Sequence, residues 1–301
     1  MSKKLVHELK GIIVAMVTPL TPNGELDETT LKSHIKFLLE NGVHGLFPCG
    51  SAGEGPKLTV DERKKMIDIV VAEADGKVPV IPGTGGITTD EAVRVTVYAR
   101  DAGADAGLIV PPYYYHPSEK ALYEHYETIA KRTDFPIVLY NIPSLAGYSL
   151  KPEFIARCIE GIPGIVAVKD SSYDMTKFEE ILHFVGQKVS VLQGADTLIL
   201  PSLLMGAKGA MVSDANVAPR LFVDIYEMFM RGDPKRAVEA QLKAVLLDRH
   251  LGYNDYVVST KEALALIGRP VGPPRKPSYT ISEEDKAQMK TILRKLGLLS
   301  M

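Results

Sequence analysis

Short apolar runs alternate along this chain with longer stretches whose apolar residues recur every three or four positions. The first pattern predicts strands and the second predicts amphipathic helices. The runs fall at 12–18, 45–48, 78–83, 106–110, 137–141, 165–169, 189–194 and 209–213. Ile165-Val166-Ala167-Val168, apolar without interruption and largely β-branched, reads as a strand buried on both faces. Helical patterning covers 27–41, where Leu31, Ile35, Leu38 and Leu39 share a face and Asn41-Gly42 is a stop signal. It recurs at 59–74, 88–102 and 118–132. Thr59-Val60-Asp61-Glu62 is a capping box with an acidic side chain at its fourth position. Ser118 begins a similar signal, but Ala121 stands where the box needs a glutamate or glutamine.

Eight candidate strands, each followed by a helix, predict a parallel sheet, because parallel neighbours need a crossover. The spacing favours closure into an α/β (β/α)8 TIM barrel over an open doubly wound sheet. Past Gly232-Asp233-Pro234 the pattern gives three more helices, at 235–247, 259–267 and 282–298, with a proline-rich link at 269–277. The expected organisation is a barrel over 1–232 and a C-terminal helical appendage over 233–301, packed together as one structural unit.

Composition removes several function classes. Of 301 residues, 46% are hydrophobic and 24% charged, which is ordinary for a globular chain with a large core. A net charge of −2 lacks the basic footprint of a nucleic-acid binder. Cys49 and Cys158 form no CxxC, and the histidines show no HxH or HExxH spacing, so neither a disulfide framework nor a metal or other cofactor is expected. Lys3 and Lys4 followed by apolar 11–17 could mimic a signal peptide, but Glu8 and Lys10 intervene and no A-x-A site follows. No apolar run reaches membrane-spanning length. A soluble, cytoplasmic protein without membrane partners is expected.

In a parallel barrel, chemistry collects at the carboxyl ends of the strands. Those ends carry Thr18-Pro19, the Gly50-Ser51-Ala52-Gly53-Glu54 loop, Tyr113-Tyr114-Tyr115, Tyr140-Asn141, Lys169-Asp170, Gly194-Ala195-Asp196 and Ser213. Lys169 is the most informative. At the end of a buried strand, desolvation disfavours an ammonium, and a neutral amine attacks carbonyls. The competing reading is a strand-terminal lysine that extends to water. The glycine-rich loop can offer backbone N–H groups to an anion, or be no more than a tight turn. It lacks the lysine of a phosphate loop, and the loops after the last two strands are not glycine-rich, which disfavours a phosphorylated substrate. The three tyrosines can equally be packing residues of a barrel rim. Cys49 reads as small core filler.

Gly50-Ser51-Ala52-Gly53-Glu54, Tyr140-Asn141-Ile142-Pro143 through Gly147, and Val168-Lys169-Asp170 together resemble the N-acetylneuraminate lyase and dihydrodipicolinate synthase family. The likeness spans essentially the whole chain. It implies that Lys169 forms a Schiff base with pyruvate and that Tyr140 is the general acid and base. It further implies that Ser51, with neighbouring N–H groups, holds the pyruvate carboxylate and passes protons toward Tyr114 from an adjacent subunit of a homotetramer. An iminium is its own electron sink, so this chemistry needs no metal.

Departures from the family pattern bear on the substrate. The synthases carry an arginine at the position of Leu145, where it grips the second substrate's carboxylate; leucine makes no such contact. Ala52 replaces a frequent threonine, and Asp196-Thr197 keeps half of an acidic pair found in the lyases. The expected activity is therefore a class I, Schiff-base aldolase cleaving a 2-keto-3-deoxy sugar acid to pyruvate and an aldehyde. Asp196, Thr197 and Ser213 would meet sugar hydroxyls, and Leu145 would exclude aspartate semialdehyde. The alternatives are 4-hydroxy-tetrahydrodipicolinate synthase, condensing pyruvate with aspartate semialdehyde, and an N-acetylneuraminate lyase-like or dehydratase activity on the same enamine. A non-catalytic pyruvate sensor is disfavoured by the retained Lys169, Tyr140, Ser51 and Tyr114.

Overall fold

The computed structural model describes residues 8–252 and 255–300. Lys3 and Lys4, invoked above, lie outside the described residues. Seven strands form one parallel, curled sheet: β1 Gly11–Ala15, β2 Gly45–Phe47, β3 Gly107–Ile109, β4 Ile137–Asn141, β5 Ile165–Asp170, β6 Ser190–Gln193 and β7 Gly209–Val212. Their order is β2-β1-β7-β6-β5-β4-β3.

The expected strand at 78–83 is present only as isolated parallel bridges, Leu46 to Val80 on one side and Gly83 to Leu108 on the other. Ile81 N donates to Leu46 O at 2.9 Å and Leu108 N donates to Pro82 O at 2.9 Å. Pro79 and Pro82 have no N–H to give, which interrupts a regular ladder. The segment nevertheless lies between β2 and β3, the two ends of the sheet order.

Twelve α-helices surround the sheet among the described residues: α1 Glu28–Glu40, α2 Val60–Ala74, α3 Thr89–Asp101, α4 Glu119–Thr133, α5 Pro143–Ala146, α6 Pro152–Gly161, α7 Met175–Val185, α8 Ile199–Met205, α9 Pro219–Met230, α10 Pro234–Leu251, α11 Tyr256–Leu266 and α12 Glu283–Lys295. The Thr59 capping box forms in full. Ser118 caps α4 without one, its side chain accepting from Ala121 N. Of the three C-terminal helices, α11 starts earlier than its pattern suggests, because the Asp255 side chain caps it by accepting from Val257 N. No described helix is long and apolar enough to cross a membrane.

Strand residues alternate between two buried environments. Ile12 and Val14 of β1, and Ile137 and Leu139 of β4, pack outward against helices. Ile13 and Ala15, with Phe47, Leu108, Val138, Tyr140, Ala167, Leu192 and Met211, fill the concave side. Burial on both faces removes the amphipathic alternation, which is why these strands read as continuous apolar runs. The period of two then places Tyr140 beside Val138 on the inner face, and Lys169 beside Ala167.

The C-terminal helices are tied to the loop after β2. Lys261 of α11 places Nζ 2.8 Å from Glu54 Oε1, both side chains being almost fully buried. The same Nζ donates to Pro273 O at 2.9 Å, and Arg275 N donates to Glu54 Oε2 at 2.8 Å. The proline-rich link also crosses the start of the fold, where Leu20 N donates to Val271 O at 3.0 Å.

Candidate active site

Parallel pairing of β4 with β5 sets Tyr140 directly opposite Lys169. Lys169 is 4% exposed and Tyr140 3%. Lys169 Nζ donates to Tyr140 Oη at 3.2 Å. The amine lies 4.3 Å from the Tyr140 ring centroid and 4.8 Å from that of Phe47. The next residue on each strand points the other way and braces the pair. Asn141 Nδ2 donates to Asp170 Oδ1 at 2.6 Å, while Asn141 Oδ1 accepts from Leu150 N at 2.9 Å. In the Tyr-Asn and Lys-Asp dipeptides one side chain thus lines the cavity and the other holds the strand ends together.

Gly194, just past β6, leaves the space the lysine needs. A Cβ there would lie 2.0 Å from Ser171 Oγ and 3.0 Å from Lys169 Cε. Ser171 Oγ lies 3.5 Å from Tyr140 Oη, adding a hydroxyl to the group.

The loop after β2 faces the same space. Gly55 N donates to Gly50 O at 2.9 Å and Glu54 N donates to Ser51 O at 3.0 Å, closing a tight turn. Glu54 has φ of +55°, a left-handed conformation held by the Lys261 and Arg275 contacts described above. Thr18 Oγ1 donates to Gly53 O at 2.5 Å from the end of β1. These contacts are those of the tight turn.

Ser51, Ala52, Tyr140, Leu145, Lys169, Asp196 and Ser213 line one cavity of about 320 Å³. Thr197 does not line it; it sits in the short 3-10 turn Asp196–Leu198. Leu145 is 51% exposed, at the mouth. Tyr114 lines neither this cavity nor the larger one beside it, and is 75% exposed, its ring edge-on to Tyr115 with centroids 5.0 Å apart. The larger cavity, about 530 Å³, shares Phe47, Ser51, Tyr140, Leu145 and Tyr256 with the first and adds Lys57, Arg63 and Tyr113.

Among the lining residues that escape the sequence reading are Tyr173, Asp214, Asp248 and Tyr256. Asp248 and Tyr256 come from α10 and α11, where nothing in an amphipathic pattern marks a residue as reaching the barrel mouth. Asp214 follows Ser213, and its place in the Ser-Asp-Ala-Asn segment was the available signal. Asp196, Asp214 and Asp248 have carboxylate oxygens within 4.8 Å of one another, the kind of all-oxygen set that suits hard cations. Spacing-based reading expects no metal-ligating cluster, because these residues are spread across three elements.

Asp196 Oδ1 accepts from Asp214 N at 2.9 Å. Even so, burial, reinforced by the negative Asp248, pushes the Asp196 carboxyl up to about 7. Burial and the charge of Asp196 push Asp214 well above the usual carboxylate range, and its Oδ2 has no hydrogen-bond partner. Asp248 is raised by burial as well. The cavity thus sets the amine of Lys169 and several acidic side chains among the hydroxyls of Ser51, Tyr140, Ser171 and Ser213.

Comparison with known proteins places this geometry. Residues 8–296 match the dihydrodipicolinate synthetase family. The chain is 39% identical over 292 residues to the 4-hydroxy-tetrahydrodipicolinate synthase of Methanothrix thermoacetophila, covering 97% of this chain and 98% of that one. It is 37% identical over 290 residues to the synthase of Methanocaldococcus jannaschii, covering 96% and 99%. Among solved structures, dihydrodipicolinate synthase from Aquifex aeolicus superposes with a TM-score of 0.93 at 36% identity, covering 96% of this chain and 99% of that one. YagE from E. coli K12, a prophage protein of the same family solved with pyruvate, gives 0.93 at 31% identity, covering 96% and 99%.

These relatives overturn the sugar acid aldolase expectation, since those at 36–39% identity over nearly the whole chain are named as synthases. The sugar acid substrate drawn from Leu145 goes with it. A missing guanidinium costs most where the carboxylate is stripped of water, and Leu145 is half exposed at the cavity mouth. A full-length match, a shared fold and a buried lysine–tyrosine pair at strand ends agree on one conclusion: this chain belongs to the dihydrodipicolinate synthetase family and is a lyase-type, class I aldolase-like enzyme.

Proposed function

We propose that the enzyme condenses pyruvate with aspartate semialdehyde, as a 4-hydroxy-tetrahydrodipicolinate synthase. The observation that carries the reading is the buried contact of 3.2 Å between Lys169 Nζ and Tyr140 Oη. A buried amine held against a phenol is equipped to attack a ketone and to protonate the resulting carbinolamine.

In this reading the Lys169 amine adds to C2 of pyruvate, and Tyr140 protonates the carbinolamine hydroxyl, which leaves as water. The iminium then gives a C3 proton to the Tyr140 phenolate to form the enamine, whose C3 attacks the aldehyde carbon of the second substrate while Tyr140 returns that proton to the aldehyde oxygen. Ser51 and the N–H groups of its loop hold the pyruvate carboxylate, beside Ala52. Asp196 and Ser213 line the side the second substrate approaches, and the α-ammonium of that substrate suits an acidic wall. Its carboxylate stays in water at the Leu145 mouth.

The same reading extends to architecture. Segment 78–83, bridged on both sides, is the eighth strand of a closed (β/α)8 barrel, with 233–301 packed on it as part of one structural unit. The exposed edge of Tyr114 and Tyr115 is a subunit boundary in a homotetramer, with Tyr114 the residue that faces a neighbour. The cytoplasm is the compartment assigned.

The test is consumption of aspartate semialdehyde by purified enzyme at saturating pyruvate. The expected result is turnover that depends on both substrates and is abolished in Lys169→Ala. Pyruvate bound covalently with no consumption of the semialdehyde would refute the assignment while leaving the Schiff base intact.

A further inference from the structure

Three carboxylates meet at the wall of the smaller cavity, each from a different element. Asp196 opens the 3-10 turn after β6, Asp214 opens the one after β7, and Asp248 lies in the last turn of α10. Each places a carboxylate oxygen within 4.8 Å of the other two. Hydrogen bonds fix the backbone beneath them. Gln241, earlier on α10, donates from Nε2 to Asp196 O at 3.1 Å and accepts from Leu200 N at 2.8 Å through Oε1. Asn216 Nδ2 donates to Ala15 O at 2.8 Å and to Ser213 O at 2.7 Å, which pins the Asp214 turn to β1.

Buried charges are normally paired with an opposite charge or bound to a metal. Glu54 takes the first course, with Lys261 at 2.8 Å. Among the described residues no basic side chain forms an ion pair with Asp196, Asp214 or Asp248. Asp196 has a backbone donor, Asp214 N at 2.9 Å. Asp214 is worse served: it is 3% exposed, it lines the cavity, and its Oδ2 has no hydrogen-bond partner. A buried acceptor set beside two further carboxylates calls for a positive ligand. The spacing suits one ion. Calcium binds oxygens at about 2.3–2.6 Å, so ligand oxygens on one ion lie about 3.3–3.7 Å apart at a right angle and up to about 5 Å apart across it.

We propose that Asp196, Asp214 and Asp248 form a binding site for a hard divalent cation of calcium's size in the wall of the Lys169 cavity. The three carboxylates bind the ion directly, and Ser213 of the same cavity, with water, completes an oxygen shell. Occupation takes up the carboxylate oxygens and cancels most of the charge of that wall. Under the proposed function the wall receives the ammonium of aspartate semialdehyde, so ion and acceptor compete. The competition rests on that function; the ion site does not.

The experiment uses chelator-stripped enzyme at pH 8, with Mn2+ binding read by EPR and Ca2+ binding by titration calorimetry. One saturable site per chain is expected, with Ca2+ displacing Mn2+. Asp248→Asn keeps the side chain's shape at a partly exposed position, and a melting curve checks its fold. It should weaken Ca2+ binding roughly tenfold or more, because affinity follows the charge of the ligand set. Asp61→Asn, an exposed acid on α2, should bind like wild type. Saturating Ca2+ should raise the KM of the wild-type enzyme for aspartate semialdehyde several-fold at unchanged kcat, and Asp248→Asn should lose that effect. No saturable site in the wild type, or undiminished binding in folded Asp248→Asn, would overturn the site. Binding with an unmoved KM for the semialdehyde would overturn the competition. An enzyme that binds Ca2+ yet never consumes the semialdehyde would instead refute the proposed function and leave the ion site standing.

Discussion

Removing the Lys261 ammonium tests how far the C-terminal helices govern the catalytic loop. Lys261 and Glu54 meet at 2.8 Å with side chains 2% and 1% exposed. Burial lowers the Lys261 ammonium and the adjacent Glu54 carboxylate opposes that shift, so each charge is tolerated because of the other. Breaking such a pair from one side typically costs about 3–5 kcal/mol, because the remaining charge stays buried and uncompensated. Glu54 keeps partial compensation from Arg275 N at 2.8 Å and Lys57 Nζ at 3.3 Å. Lys261→Met is therefore expected near the lower end, about 3 kcal/mol of unfolding free energy. Glu54→Gln in the same background should recover much of it, since the unpaired charge is then gone. Urea denaturation of the four proteins of the cycle measures this, and KM for pyruvate reports on the Ser51 loop in parallel. A loss below about 1 kcal/mol for Lys261→Met, the range of an exposed pair, would refute the reasoning.

Other outcomes follow from the same geometry. Gly194→Ala should cut turnover severely while leaving a folded protein, because its Cβ meets Ser171 Oγ and Lys169 Cε; adding Ser171→Ala should restore part of the loss, measured as kcat. Leu145→Arg should raise kcat/KM for aspartate semialdehyde by about tenfold, the worth of one charge-assisted hydrogen bond at a half-exposed site, and an unchanged value would argue against carboxylate passage at that mouth. Asp196 binds its proton more tightly folded than unfolded, from an ordinary 3.8 up to about 7, so it makes stability fall as pH rises through that window. Asp248→Asn removes a charge that raises Asp196, and denaturation curves at pH 4 to 7 should therefore show a shallower decline than wild type.

The Lys169–Tyr140 contact was legible because polar residues interrupt apolar runs. Tyr140 and Lys169 end strands that are otherwise Val, Ile, Leu and Ala, and period-two alternation fixes which way they point. Segment 78–83 was read as a regular strand because its apolar content is right. The two prolines that deny it a ladder were in plain view and were outweighed. Tyr256 and Asp248 were not legible, since they reach the cavity from helices of the C-terminal extension and only the tertiary packing of that extension brings them there. The sugar acid substrate drawn from Leu145 is overturned by the named relatives. Sequence gives the side chain but not its exposure, and exposure decides whether a missing arginine costs anything.

The most direct test of the account is to treat the enzyme with borohydride in the presence of pyruvate and map the modified peptide. Reduction of a Schiff base should add one pyruvate-derived group to Lys169, the amine that sits 3.2 Å from Tyr140 Oη, and Lys169→Ala should take no label. A label on any other lysine, or none on Lys169 at saturating pyruvate, would contradict it.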